Sequence, residues 1–247
     1  MNIKYLHSLQ QQKFRDENNV FIAEGIKTVS DIISLGYSPK ELYYTDGNKQ
    51  LSHQITSHGE HIPPSAMSRV SGLKTPQQVF AVFQKFNYPP LDISETNDKH
   101  ILFLDNISDP GNLGTIIRTA DWFGMNTIVC SQNTVDMYNP KVVQATMGAI
   151  ANIRIYYVDT EGFLSSAHTN GMNIYGTFME GEDIRTVKFS GQSVIIIGNE
   201  ANGISETAKK HITHRITIPD GNKKGIHSRV SESLNAAVSA AIVLFSC

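Results

Sequence analysis

Residues 101–124, ILFLDNISDPGNLGTIIRTADWFG, decide how this chain is read. Ile-Leu-Phe-Leu has no polar alternate, as expected for a strand buried on both faces. Asp109-Pro110-Gly111 forces a turn, and Asn112 is a candidate helix N-cap. The helix predicted over 113–123 carries Arg118 four residues after Gly114, so its guanidinium emerges over a face without a side chain one turn earlier. Strand, turn and helix in this order form one half of a parallel α/β unit.

The same alternation runs on to the C-terminus. Strands are expected at 127–130, 154–158, 173–177, 193–197 and 215–218, and a small-residue helix at 234–245. This is an α/β fold with a mostly parallel sheet and helices on both faces. In such folds ligands bind beyond the carboxyl ends of the strands, so the informative residues should follow strands. Two further junctions have that character. In 193–205, SVIIIGNEANGIS, a buried strand runs into Gly198-Asn199-Glu200, and Gly203 precedes a helix starting near Ser205. A lone carboxylate at a strand exit is costly without a partner, and Arg118 is the expected one. In 216–244 a strand ends at Pro219, a polar loop follows, and Ser233-Leu234-Asn235 opens an alanine-rich helix with Ser233 and Asn235 placed as cap and site groups together.

Towards the N-terminus, NYPPLDISETNDK at 87–99 has two consecutive prolines and no periodicity, which reads as a linker. It divides the chain into a small α/β unit at 1–90, a linker at 91–99 and a larger domain at 100–247. In the small unit, Ile26, Val29, Ile32 and Ile33 recur at helical spacing, and 41–45 and 79–83 read as strands.

At 247 residues with 40% hydrophobic and 18% charged residues, the composition is that of a globular protein and excludes a disordered or fibrous chain. The net charge of −2 carries no basic excess, so composition alone does not point to nucleic acid, although a local patch can hide in a neutral total. Cys130 and Cys247 form no CxxC pair or disulfide framework, and Cys130 ends an apolar run as a core thiol would. No signal peptide or membrane-length run is evident, so a cytoplasmic protein is expected. No Gly-x-Gly turn and no GxxxxGK[ST] loop occurs, which argues against dinucleotide-binding and P-loop chemistry. His58/His61 and His211/His214 lack an accompanying Cys or carboxylate cluster, so no metal site is expected. Trp122 and Phe123 could stack a base or pack in the core or at an interface.

The stretches NISDPGNLGTIIRTADWFG, IIIGNEANGIS and IP…ESLNAAVSAAI, in this order, resemble the signature of the SpoU (TrmH-type) family of RNA ribose 2′-O-methyltransferases, within the SPOUT superfamily. KFRDENNVFIAEGIKTVSDI and SGLKTPQQVFAVF are similar to that family's N-terminal substrate-binding domain. The resemblance implies a C-terminal trefoil knot, S-adenosylmethionine as cofactor, an RNA substrate (rRNA before tRNA) and a homodimer with its active site near the subunit interface. It also implies that Thr177, Gly198, Asn199, Gly203, Ile218 and Leu234 hold the cofactor, and that Asn112, Arg118, Glu200, Ser233 and Asn235 line the chemical site. The family's arginine at position 118 is assigned as general base. A guanidinium is effectively never deprotonated in a protein, so an electrostatic clamp oriented by Glu200 fits the chemistry better. The loop 220–232 is longer than the family's usual connection, and its Lys223, Lys224 and Arg229 could reach RNA phosphates. The alternative function is a non-catalytic RNA-binding protein that keeps the fold.

Overall fold

The computed structural model describes residues 1–47, 51–94, 99–221 and 233–247. They form two compact units, one of residues 1–88 and 136–152, the other of 89–135 and 153–247.

In the first unit the order is α1 (Ile3–Ser8), α2 (Gln12–Asn18), β1 (Val20–Glu24), α3 (Ile26–Ser34), β2 (Pro39–Tyr44), α4 (His53–His58), β3 (Glu60–His61), α5 (Pro64–Val70) and β4 (Val79–Gln84). The strands lie in the order β1-β4-β2-β3, antiparallel except for the β2/β3 pair. Leu6, Leu9, Val20, Ile22, Met67, Val70, Phe80 and Val82 fill one side of this sheet.

The second unit holds β5 (His100–Asp105), α6 (Pro110–Trp122) and β6 (Thr127–Ser131). After the excursion described below come β7 (Arg154–Val158), α8 (Thr160–Thr169), β8 (Asn173–Asp183), β9 (Ser193–Gly198), α9 (Glu206–Lys209), β10 (His214–Thr217) and α10 (Ala236–Ser246). The sheet order is β10-β8-β9-β5-β6-β7, and every pairing is parallel. The expected fold class is therefore the observed one. Ile101, Phe103, Val194 and Ile196 pack on one face with Leu164 and Ile174, all inaccessible to water. Each such side chain contributes about 1.5–3 kcal/mol by leaving water. Cys130 is fully buried, and burial pushes its thiol pKa up.

One segment departs from the division at 91–99. Between β6 and β7 the chain leaves the second unit, and residues 136–152, including α7 (Pro140–Thr146), belong to the first. The tie is a buried charge. Arg15, 2% exposed, donates from Nη2 to Asp136 Oδ2 at 2.8 Å and from Nη1 to the carbonyls of Leu9 (3.1 Å) and Gln10 (2.9 Å). Tyr138 packs on Phe21 at a centroid distance of 5.1 Å, and its hydroxyl accepts the Phe86 N–H at 2.9 Å.

A ladder irregularity shapes the second unit. β10 pairs with Tyr175 and Gly176, then resumes at Glu182 and Asp183. Residues 177–181 are thus left out of that ladder, well beyond the single extra residue of an ordinary bulge.

Candidate active site

The site is built at the carboxyl ends of β5 and β9. At the β5 exit Asp105, 1% exposed, accepts the Ser205 N–H at 2.6 Å. The chain then turns through Asn106 and enters α6. The N-cap of α6 is Asp109, whose carboxylate accepts the Asn112 N–H at 2.7 Å, with Pro110 at the first helical position. Asn112 is therefore not the cap expected from sequence. It sits in the first turn, and its side chain is released for contacts outside the helix.

Those contacts form a small polar network. Asn112 Nδ2 donates to Glu200 Oε1, while Asn112 Oδ1 accepts from Asn235 Nδ2 at 2.8 Å. Asn235 is the N-cap of α10, and its Oδ1 accepts the N–H groups of Ala237 (2.9 Å) and Val238 (3.3 Å). One amide thus caps a helix and orients a second amide, which holds the carboxylate. The expected Arg118–Glu200 pair is absent: among the described residues Arg118 has no hydrogen-bond or ion-pair partner, and it is exposed. Helical geometry explains this. Six residues separate Asn112 from Arg118, so they point about 120° apart around the axis.

The β9 exit is made by two glycines. Gly198 has no room for a Cβ, which would lie 2.4 Å from the Gly203 carbonyl carbon and 2.5 Å from Ile204 N. Gly203 adopts φ +66°, and its N–H and C=O exchange hydrogen bonds with Asn199 at 2.9 and 3.0 Å. Inside this turn Asn199 Oδ1 accepts the N–H groups of Ala201 and Asn202 at 2.9 and 3.1 Å.

A cavity of about 610 Å³ opens beside the turn. Ligand sites commonly fall within ~300–1,000 Å³. The walls come from 177–179, 197–204, 218–221 and 233–234, with Lys209, Ala236 and Ser239. The unpaired stretch of β8 supplies Thr177, Phe178 and Met179, and Ile218 follows directly on the end of β10. All six residues expected to hold a cofactor line this cavity, together with Glu200 and Ser233. Asn112 and Asn235 reach it through Glu200, and Arg118 stands outside it. Lys223, Lys224 and Arg229 lie outside the described residues.

Sequence reasoning missed Phe178, Met179, Lys209 and Asp220 in the lining. No signal marked Phe178, whose ring carries the Arg215 guanidinium 3.6 Å from its centroid. Asp105 and Asn106 could have been found, since they follow a buried strand directly. Trp122 is not a core residue: it is 85% exposed, as is Phe245 at 79%, and Phe123 meets Phe245 edge-on at 6.3 Å. Among the described residues no helix is long and apolar enough to cross a membrane.

The model of the SpoU rRNA Methylase family matches residues 99–245, and that of the MRM3-like substrate binding domain matches residues 1–81. The 23S rRNA (guanosine(2553)-2'-O)-methyltransferase RlmP of Bacillus subtilis is 28% identical over 245 residues, covering 98% of this chain and 94% of its own. The human mitochondrial rRNA methyltransferase 3 is 25% identical, covering 96% and 69%. A solved structure of an AdoMet-bound rRNA methyltransferase from Sinorhizobium meliloti superposes with a TM-score of 0.84 at 31% identity, covering 99% of this chain and 92% of that one. With its strand-exit glycines, its Asn112–Glu200 contact and a family model spanning most of its length, the chain belongs to the SpoU rRNA methylase family.

Proposed function

We propose that this protein transfers a methyl group from S-adenosylmethionine to a ribose 2′-hydroxyl of ribosomal RNA. The observation that carries the reading is the cavity bounded by Gly198 and Gly203 and edged by the Glu200–Asn112–Asn235 network. The cofactor fits this cavity on structural grounds: at about 610 Å³ it is of ligand size, and Gly198 and Gly203 put backbone without side chains into its wall.

S-adenosylmethionine, when bound, supplies a methyl group on a sulfonium, already a good leaving centre. The chain's own work is then mainly alignment. Backbone around Thr177, Gly198, Asn199, Gly203, Ile218 and Leu234 holds the adenosine end. Asn112, Ser233 and Asn235 fix the orientation of Glu200 and of the incoming ribose. Arg118 keeps its positive charge and favours the ionised form of the hydroxyl, whose proton passes to solvent.

The active form we infer is a cytoplasmic homodimer. Arg118 and Trp122 are four apart and share a face of α6, which presents a largely exposed indole, and the next residue, Phe123, meets the exposed Phe245. A second copy covering this face would also enclose Arg118. We infer the trefoil knot as well, supported by the all-parallel order β10-β8-β9-β5-β6-β7 and by cavity walls drawn from four separate stretches of chain. The first unit, 1–88 with 136–152, is proposed to bind the RNA, in line with the substrate-binding model that matches 1–81.

Mapping of 2′-O-methyl groups in RNA from cells with and without the protein tests the reading. One lost rRNA site supports it, and a lost tRNA site redirects the substrate. Calorimetry with S-adenosylmethionine that shows no binding, with no lost methyl group, leaves the non-catalytic RNA-binding alternative.

A further inference from the structure

Asn106 is held in a conformation that a residue with a side chain adopts only at a cost. It has φ +60° at the exit of β5. Asparagine tolerates this left-handed region better than most residues, and β-branched residues hardly at all. Two neighbours keep it there. Ser131 Oγ accepts the Asn106 N–H at 2.8 Å and also donates to Asn106 Oδ1 at 3.3 Å. Asn106 Nδ2 donates to Asp105 Oδ1 at 2.9 Å, and Asp105 is itself buried and anchored on the Ser205 N–H.

The turned backbone presents the Asn106 carbonyl to Asn199, whose Nδ2 donates to it at 2.9 Å. The same Nδ2 lies 3.4 Å from Ser108 Oγ. The other end of the Asn199 amide accepts two N–H groups of the turn that carries Glu200. A chain of hydrogen bonds therefore runs from the β6 exit through Asn106 and Asn199 to the backbone of the turn that carries Glu200, whose carboxylate Asn112 holds. Strain retained at such a place is commonly part of a site's construction.

We propose that Asn106 is a positioning residue: its left-handed backbone, fixed by Asp105 and Ser131, sets the place of the 199–203 turn through its carbonyl, and with it the Glu200 carboxylate. This rests on the methyl-transfer reading above. Asn199 thereby gains a role distinct from lining the cavity, because its donor end clamps the turn to β5.

Two substitutions separate the clamp from the turn. N199D keeps an oxygen to accept the Ala201 and Asn202 N–H groups but replaces the donor facing the Asn106 carbonyl with a carboxylate oxygen. N106V removes access to φ +60° and redirects the carbonyl. Single-turnover methyl transfer is measured with saturating S-adenosylmethionine and rRNA from cells lacking the protein, alongside thermal melts and calorimetric cofactor affinity. Each variant is expected to slow transfer about tenfold or more, since small misplacements of reacting groups have effects of that size. Cofactor affinity of N199D should fall as well, since the 199–203 turn also walls the cavity, while its melting point stays within a few degrees of the wild type. The double variant should be no slower than the slower single, because both break one link. N106G, which reaches the same φ without strain, should recover much of the rate lost in N106V.

N199D at the wild-type rate, or single losses that multiply in the double variant, would overturn the inference. If N106V does not fold, N199D with N106G decides the matter. A wild-type protein that neither binds S-adenosylmethionine nor methylates rRNA sinks the proposed function itself. A competent wild type with an unimpaired N199D sinks the positioning role alone.

Discussion

Replacing Asn112 with Asp tests the polar network most directly, because it changes one atom and inverts one interaction. In the native protein Asn112 Nδ2 donates to Glu200 Oε1 while Oδ1 accepts from Asn235 at 2.8 Å. N112D keeps the acceptor for Asn235 and sets a second carboxylate oxygen against Glu200. Two unit charges 4 Å apart repel by about 1 kcal/mol in water and about 4 kcal/mol at the effective dielectric near a protein surface. Both side chains are half-buried, so a cost of about 2 kcal/mol is expected when both are ionised. The introduced carboxyl group then has a folded-state pKa above its unfolded one, because a second carboxylate faces it. A group raised in this way adds nothing unfavourable below its unfolded pKa and becomes destabilising as pH rises through the folded value. N112D should melt with the wild type near pH 4 and about 4–8 °C below it at pH 7, in thermal scans at matched ionic strength. Methyl transfer by the variant should fall over the same interval. A melting difference that stays constant from pH 4 to pH 8 would refute the contact between positions 112 and 200.

Four other outcomes follow from the same structure. R118K should lower methyl transfer about tenfold or more at every pH from 6.5 to 9 without moving the optimum, since a clamp loses its planar fork but no proton acceptor changes. Near-full activity with a shifted optimum would return the proton-accepting role to this position. G198A should weaken S-adenosylmethionine binding by calorimetry and cost roughly 1–3 kcal/mol or more in stability, because the added Cβ meets backbone at 2.4 Å. The double variant W122D/F245D should run as a monomer in light scattering while keeping the wild-type melting point within a few degrees, and a dimer that survives it would place the interface elsewhere. Glu24 is a buried carboxyl whose pKa is raised by desolvation, against hydrogen bonds from Ser71 Oγ and the Gly72 N–H. Its contribution to stability is therefore present below about pH 4.3 and lost as pH rises through its folded value, so the melting point of E24Q minus that of wild type should grow between pH 4.3 and 7.

The second unit was readable from sequence because its strands are buried on both faces. Uninterrupted apolar runs such as 101–104 and 193–197 can hardly be anything else in a chain with turn residues at both ends. The strand 173–177 was seen only to the point where it leaves the ladder, since residues 178–183 carry Glu180, Glu182 and Asp183 and no apolar pattern. Placing Thr177, Gly198 and Ile218 at a common cavity came from the family signature and not from periodicity. The partner of Glu200 could not be read from sequence. Charge alone favours Arg118, and only the phase of α6, set by Asp109 as its true cap, brings Asn112 round instead. The small unit was harder because its helices are short: α1, α4 and α5 run six or seven residues, too few to show an amphipathic repeat.

The Arg15–Asp136 ion pair bears on how this protein can be cut and exchanged. Because residues 136–152 belong to the first unit, that unit is discontinuous in sequence, and severing the chain near 90 does not release it intact. A fragment of 1–90 would keep Arg15 buried without its carboxylate and uncover Phe21, while a fragment from 100 onward would carry Tyr138, Val142 and Ile150 with nothing to cover them. Limited proteolysis at 91–99 should therefore leave a nicked but associated molecule. Grafting a different RNA-binding module onto this catalytic half would have to bring along a matching replacement for 136–152, so the two halves are bound to change together.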